Sequence, residues 1–128
     1  MAKKPIFGKL QQHNKAWGRE LWVVNIPQYC GKILEFNEGA SFSMHYHIKK
    51  EETWVITQGT FEMEYFDLES AERQKSTLHA GDTIHLEPSV PHKLTCIKGE
   101  DGKGTVFEIS TQHFNEDSYR IEKGDSQK

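Results

Sequence analysis

Cysteine is nearly absent. Cys30 and Cys96 are the only two, with no CxxC pair, so no disulfide framework is written into the chain and both read as reduced thiols. No apolar run approaches the length of a membrane span. The basic N-terminus, MAKKPIFGKLQQHNK, has no apolar signal-peptide core, so no membrane partner is expected and the expected compartment is cytoplasmic. One-sided charge is missing as well. Lys and Arg total 16 against 19 Asp and Glu, interspersed, for a net charge of −3; a nucleic-acid partner, which calls for a basic face, is not expected. Helical periodicity, internal repeats, low-complexity tracts and linkers are also lacking. At 128 residues the chain reads as one domain with one substantial core.

What is present is a series of short strand-like stretches. ELWVVN (residues 20–25), YCGKILEFN (29–37), TWVIT (53–57), TFEMEYFD (60–67), HKLTCI (92–97) and TVFEIST (105–111) are rich in β-branched and aromatic residues. Two further short strands are expected around the AGD turn at Gly81, and SFSMHYH is expected to run extended. In residues 61–65, Phe, Met and Tyr alternate with Glu, the period of a half-buried strand. About nine strands, punctuated by Gly and Pro, predict an all-β sandwich or barrel. The expected division is an arm or first edge strand over 1–16, a barrel over 17–114 and a tail over 115–128.

The most informative stretch is GASFSMHYHIKKEETWVITQG, Gly39 to Gly59. On a strand, residues i and i+2 share a face, so His45 and His47 place two imidazoles side by side. After a short turn, Glu52 returns a carboxylate beside them. Two histidines and a carboxylate begin a divalent metal site with open positions. His92, in GDTIHLEPSVPHKL, is the fourth candidate ligand, brought back by the barrel.

The two stretches together resemble the paired motifs of the cupin family. Gly39, His45, His47, Glu52 and Gly59 keep the register of the first motif, and Gly81 and His92 that of the second. Glu87, Ser89 and Cys96 stand where the second motif has proline, glycine and asparagine. The resemblance implies a single-domain double-stranded β-helix, or jelly-roll barrel, with a metal inside its open end. More narrowly, KAWGRELW, the His-containing stretch and VFEISTQHFNEDSYR resemble the cupin domain of type II mannose-6-phosphate isomerases; the ending reads EKGD where that family has DYGR. Three imidazoles and one carboxylate suit one Mn, Zn, Fe, Co or Ni per chain and do not suit Mg or Ca.

Sugar isomerisation moves a proton between adjacent carbons, and the candidate acid/base groups are Lys32, Glu108, Glu62 and His85. Lys32 shares a face with Leu34 and Phe36, and Glu108 lies opposite Phe107 and Ile109. Arg120 is placed to clamp a phosphate. Trp54, on the face of Glu52, and His85, on the face of Thr83, are candidate substrate contacts. His13 and His79 are read as solvent-exposed, and His113 as a candidate cap of the barrel mouth. If the two histidines point inward, Phe42, Met44 and Tyr46 point outward, and the row is covered either by the same chain or by a partner; a homodimer is expected on that ground. The leading function is a metal-dependent isomerase of a sugar or sugar phosphate. A metal- and sugar-binding module without turnover and an Fe(II) dioxygenase with an apolar pocket are the alternatives.

Overall fold

In the computed structural model, which describes residues 3–127, the chain forms eleven strands and one short 3-10 helix. The strands are β1 (Gln11–Lys15), β2 (Gly18–Ile26), β3 (Tyr29–Asn37), β4 (Met44–Tyr46), β5 (Glu52–Gln58), β6 (Thr60–Asp67), β7 (Glu72–Leu78), β8 (Thr83–Leu86), β9 (His92–Lys98), β10 (Lys103–Ser110) and β11 (Tyr119–Glu122). They make two antiparallel sheets, ordered β1-β2-β3-β10-β5-β8 and β11-β4-β9-β6-β7. The all-β jelly-roll expectation is met. Two elements go beyond it: β7 begins inside the polar LESAERQ connection, and the tail returns as β11 against β4. Residues 11–15 are the edge strand of the larger sheet.

Strand period explains the interior. In β3 the residues Lys32, Leu34 and Phe36 face inward, in β5 Glu52, Trp54 and Ile56, and in β10 Val106, Glu108 and Ser110. Register then sorts them into rows. Val106 lies between Leu34 and Ile56, and Glu108 lies between Lys32 and Trp54. The first row feeds an apolar core with Phe36, Phe61, Met63, Leu94 and Cys96. The next row is polar and opens toward one end of the barrel. Phe107 and Ile109 occupy the outer face of the sheet, so the interior lies on the side of Glu108.

Two turns need particular backbone. Gly59 has φ +92°, and a Cβ there would come within 2.8 Å of the Lys98 carbonyl oxygen. Ser89, where the second motif has glycine, also takes a left-handed φ of +77°, a conformation costing a non-glycine residue about 1–2 kcal/mol. It is held there by donating its N–H to the His47 carbonyl at 2.6 Å.

The row Phe42, Met44, Tyr46 does not form an exposed outer face. The extended stretch is a strand only over Met44–Tyr46, so the two-residue period does not reach Phe42. Its ring turns inward, within 6.1 Å of the Trp17, Phe36, Trp54 and His92 rings. Met44 is fully buried within the chain and Tyr46 stacks on Tyr119 of β11. The ground for a homodimer through this row is therefore removed.

Candidate metal centre

The metal-ligand candidates arrive from both sheets. His45 of β4 lies directly opposite His92 of β9. His47 leaves β4, and Glu52 opens β5 in the other sheet. The three imidazoles offer ligand atoms that all lie within 4.8 Å of one another. Glu52 Oε2 is 3.5 Å from His47 Nε2 and 3.6 Å from His92 Nε2, while Glu52 Oε1 accepts the Trp54 indole N–H at 2.8 Å.

The tautomers follow from the partners. His45 Nδ1 meets the Ser43 carbonyl at 2.7 Å, His92 Nδ1 the Val90 carbonyl at 2.9 Å and His47 Nδ1 the Asp117 carbonyl at 2.5 Å. A carbonyl only accepts, so each Nδ1 carries the hydrogen and each Nε2 keeps a lone pair. His92 Nε2 is buried with no hydrogen-bond partner, a costly state that a cation relieves. Burial pushes all three imidazoles below their usual range, His92 to about 3. They are therefore neutral, and their approach to Glu52 is a ligand geometry rather than an ion pair. Burial, reinforced by the Glu108 carboxylate, pushes Glu52 up to about 8 in the metal-free protein. Neutral imidazoles and a carboxylate with a desolvated charge fit a divalent transition metal.

The imidazoles and Glu52 line a cavity of about 360 Å³. Phe42, Trp17, Leu34 and Trp54 supply its apolar lining, and Lys32, Lys50 and Glu108 add a charged wall. Lys50 Nζ donates to Glu108 Oε2 at 3.1 Å, and both side chains are almost wholly buried. Burial opposes the charge of each, but Lys50 and Lys32 hold Glu108 below its usual range, and Glu108 and Glu52 hold Lys50 above its own. Lys32 Nζ is 3.4 Å from Glu20 Oε1 and sits 4.4 Å over the Trp22 ring; burial lowers its pKa, partly offset by Glu108.

Of the remaining candidates, Lys32, Glu108 and Trp54 line the cavity, and exposed Arg120 lines its mouth, as does exposed Lys15. His85 does not join them. It is exposed, 2.6 Å from Glu51 Oε2, because its strand face is the outer one. Glu62 also lies off this cavity, facing Thr77 and Thr95 on its neighbouring strands. His13, expected in solvent, is half-buried against Trp22 at 4.2 Å and lines the mouth, as does His113.

Lys50, Glu20 and Trp22 went unsingled in the sequence. Nothing in the KK dipeptide separates Lys50, which turns inward, from Lys49, which lies over Phe114 at 5.0 Å. An alternation argument extended to β2 would have found Glu20 and Trp22, since both precede a strand whose inward face carries Lys32.

Among the described residues no helix is long and apolar enough to cross a membrane. No curated protein matches the sequence. Among solved structures the chain is similar to the capsular polysaccharide assembling protein CapF of Staphylococcus aureus (TM-score 0.77, 13% identity, 91% of this chain and 33% of that one). It is also similar to KdgF of Halomonas sp. (0.64, 18%, 77% and 82%) and to oxalate decarboxylase of Bacillus subtilis (0.74, 12%, 88% and 30%). It thus spans about a third of the CapF and decarboxylase chains, and likeness at such identity speaks to fold. The family model for the cupin domain matches residues 32–109, from the buried lysine of β3 to the end of β10, and so takes in all four metal-ligand candidates. The chain belongs to the cupin family.

Proposed function

We propose that this protein is a metal-dependent isomerase of a sugar or sugar phosphate. The observation that carries the reading is the charged wall: Lys32, Lys50 and Glu108 share one cavity with the three imidazoles and Glu52. An aldose–ketose exchange needs a base to take a proton from one carbon and an acid to deliver it to the next. A divalent metal bound by His45, His47, His92 and Glu52 would supply Lewis-acid polarisation of the substrate oxygens. In this reading Glu108, kept ionised by two ammonium groups, takes the proton from one carbon and, once protonated, returns it to the next. Lys32 delivers and recovers the proton at oxygen, its pKa lowered by burial. Arg120 and Lys15 at the mouth, neither in an ion pair among the described residues, suit a phosphate. The apolar wall with Trp54 excludes water.

The charged wall also favours this reading over a dioxygenase, for which an apolar pocket was expected. The resemblance to mannose-6-phosphate isomerase cupin domains supports a sugar substrate. A cytoplasmic location and a homodimer belong to the same reading. The interface would be the outer face of the six-stranded sheet, where Val23, Tyr29 and Ile109 are exposed.

The test is elemental analysis of the purified protein, then an isomerisation screen with the metal found. About one transition metal per chain and turnover of mannose 6-phosphate or a free aldose is the expected result. Metal without turnover assigns a binding module instead, and iron with oxygen uptake assigns the dioxygenase.

A further inference from the structure

Two of the three imidazoles are oriented locally. His45 and His92 each donate from Nδ1 to the carbonyl two residues earlier in the chain, that of Ser43 and Val90. His47 is different: its acceptor is the carbonyl of Asp117, 70 residues away in the C-terminal segment. The Asp117 carboxylate is also committed. It accepts the backbone N–H groups of Ile48, Lys49 and Lys50 at 2.9–3.2 Å, three of the four residues between His47 and Glu52. One residue therefore holds the turn that spaces two metal ligands and sets the tautomer of one of them. Asp117 is 3% exposed, so water does not compete for these bonds.

The same segment closes the barrel mouth. Beyond Asp117 it pairs through β11 with β4, placing Arg120 opposite His45. A Cβ on Gly124 would lie 2.3 Å from the Ser43 nitrogen, so the backbone presses directly on the residue whose carbonyl orients His45. Ser126 Oγ accepts the Ala16 N–H from the rim opposite.

We infer that Asp117 is the positioning residue of the metal centre, and that it couples closure of the C-terminal segment over the cavity to occupancy of the metal site. With Asp117 in place, His47 presents Nε2 inward and the 48–50 turn holds Glu52 against it. With the segment lifted, the His47 ring loses its tautomer-fixing acceptor, and the turn loses the carboxylate that accepts its three N–H groups. Coupling between two sites is reciprocal. A cation that prefers the ordered ligand set must hold the segment closed by the same factor that closure raises its affinity. The inference rests on the metal reading of the previous subsection and not on the isomerase reading.

The experiment measures Zn2+ affinity by competition with a chromophoric chelator in the full chain, with amide hydrogen exchange recorded with and without Zn2+. Asp117→Ala keeps the backbone carbonyl but removes the carboxylate that anchors the 48–50 turn to the C-terminal segment, and is expected to weaken Zn2+ binding by about 10- to 100-fold, the usual effect of losing the support behind metal ligands. Asp117→Asn, which keeps one acceptor oxygen, is expected to fall between it and the unaltered protein. Glu116→Gln removes the adjacent exposed carboxylate and is expected to change affinity less than about 2-fold, separating positioning from general charge. In the unaltered protein Zn2+ is expected to slow exchange in residues 48–50 and 114–125, a readout that requires no variant to fold. Equal Zn2+ affinity in both Asp117 variants, or exchange in those segments indifferent to bound Zn2+, overturns the positioning role while leaving the metal site standing. Absence of Zn2+ binding by the unaltered protein overturns both.

Discussion

The Lys50–Glu108 pair gives the sharpest quantitative test of the charged wall. At 3.1 Å, with both groups about 4% exposed, the gross attraction is about 5 kcal/mol at an effective dielectric of about 20. Desolvation of the two charges offsets much of it, so the net worth of the pair is small. Removing one member is costly, because it strands the other charge away from water, at about 3–5 kcal/mol. Here each survivor has a second group to offset it: Lys32 stays near Glu108, and Glu52 ionises more readily beside Lys50 once the Glu108 carboxylate that raises it is gone, which places the expected loss at the lower end. Lys50→Met and Glu108→Gln should each cost about 3 kcal/mol in urea unfolding of the metal-free protein. The double variant should cost less than the sum, with a coupling of at least about 1.5 kcal/mol. Under the proposed function, all three should also show no turnover in the isomerisation screen. Additivity within about 0.5 kcal/mol, or single losses below about 1 kcal/mol, refutes the claim that the two charges form one desolvated unit.

Other expectations follow from the same geometry. His92→Ala and His45→Ala should fold yet retain no metal through gel filtration; a full metal complement in either rejects the ligand assignment. Phe42→Glu should destabilise the chain by about 3 kcal/mol, since it removes an aromatic ring and desolvates a carboxylate among the Trp17, Phe36 and Trp54 rings. Its elution on a sizing column should not change, and a shift toward monomer at unaltered stability would return Phe42 to an interface. His113 is held near 4 by burial and then by Lys50 and Lys32. The unfolded chain therefore takes up a proton near 6.5 that the folded chain refuses, and stability falls as pH drops from about 6.5 toward 4. His113→Gln lacks this loss, so the stability difference should move in the variant's favour across that window and level off below about 4. Parallel urea midpoints from pH 7 to 4 would show His113 to be solvated.

The sequence by itself determined most of the candidate metal centre. Strand period needs only nearest neighbours, so the His45–His47 pair and the inward faces of β3 and β5 could be read from alternation, Lys32 and Trp54 included. The turn after His47 then brought in Glu52, and the second motif stretch His92. The period failed where the strand failed: β4 is three residues long, and Phe42, just outside it, turned into the cavity instead of out to a partner. For Glu108, alternation separated the two faces of β10 but could not say which one was inside, because Phe107 and Ile109 look like core and lie on the outer surface. That choice is made by pairing with β3 and β5, a property of register. Lys50 and Asp117 lie in turns, where no repeat fixes side-chain direction; they became legible only when the C-terminal segment folded back across nearly 70 residues to meet the His47 turn. Tertiary structure alone decided that the metal ligands face a charged wall, because side chains distant in sequence exchange water for one another only once the two sheets have closed.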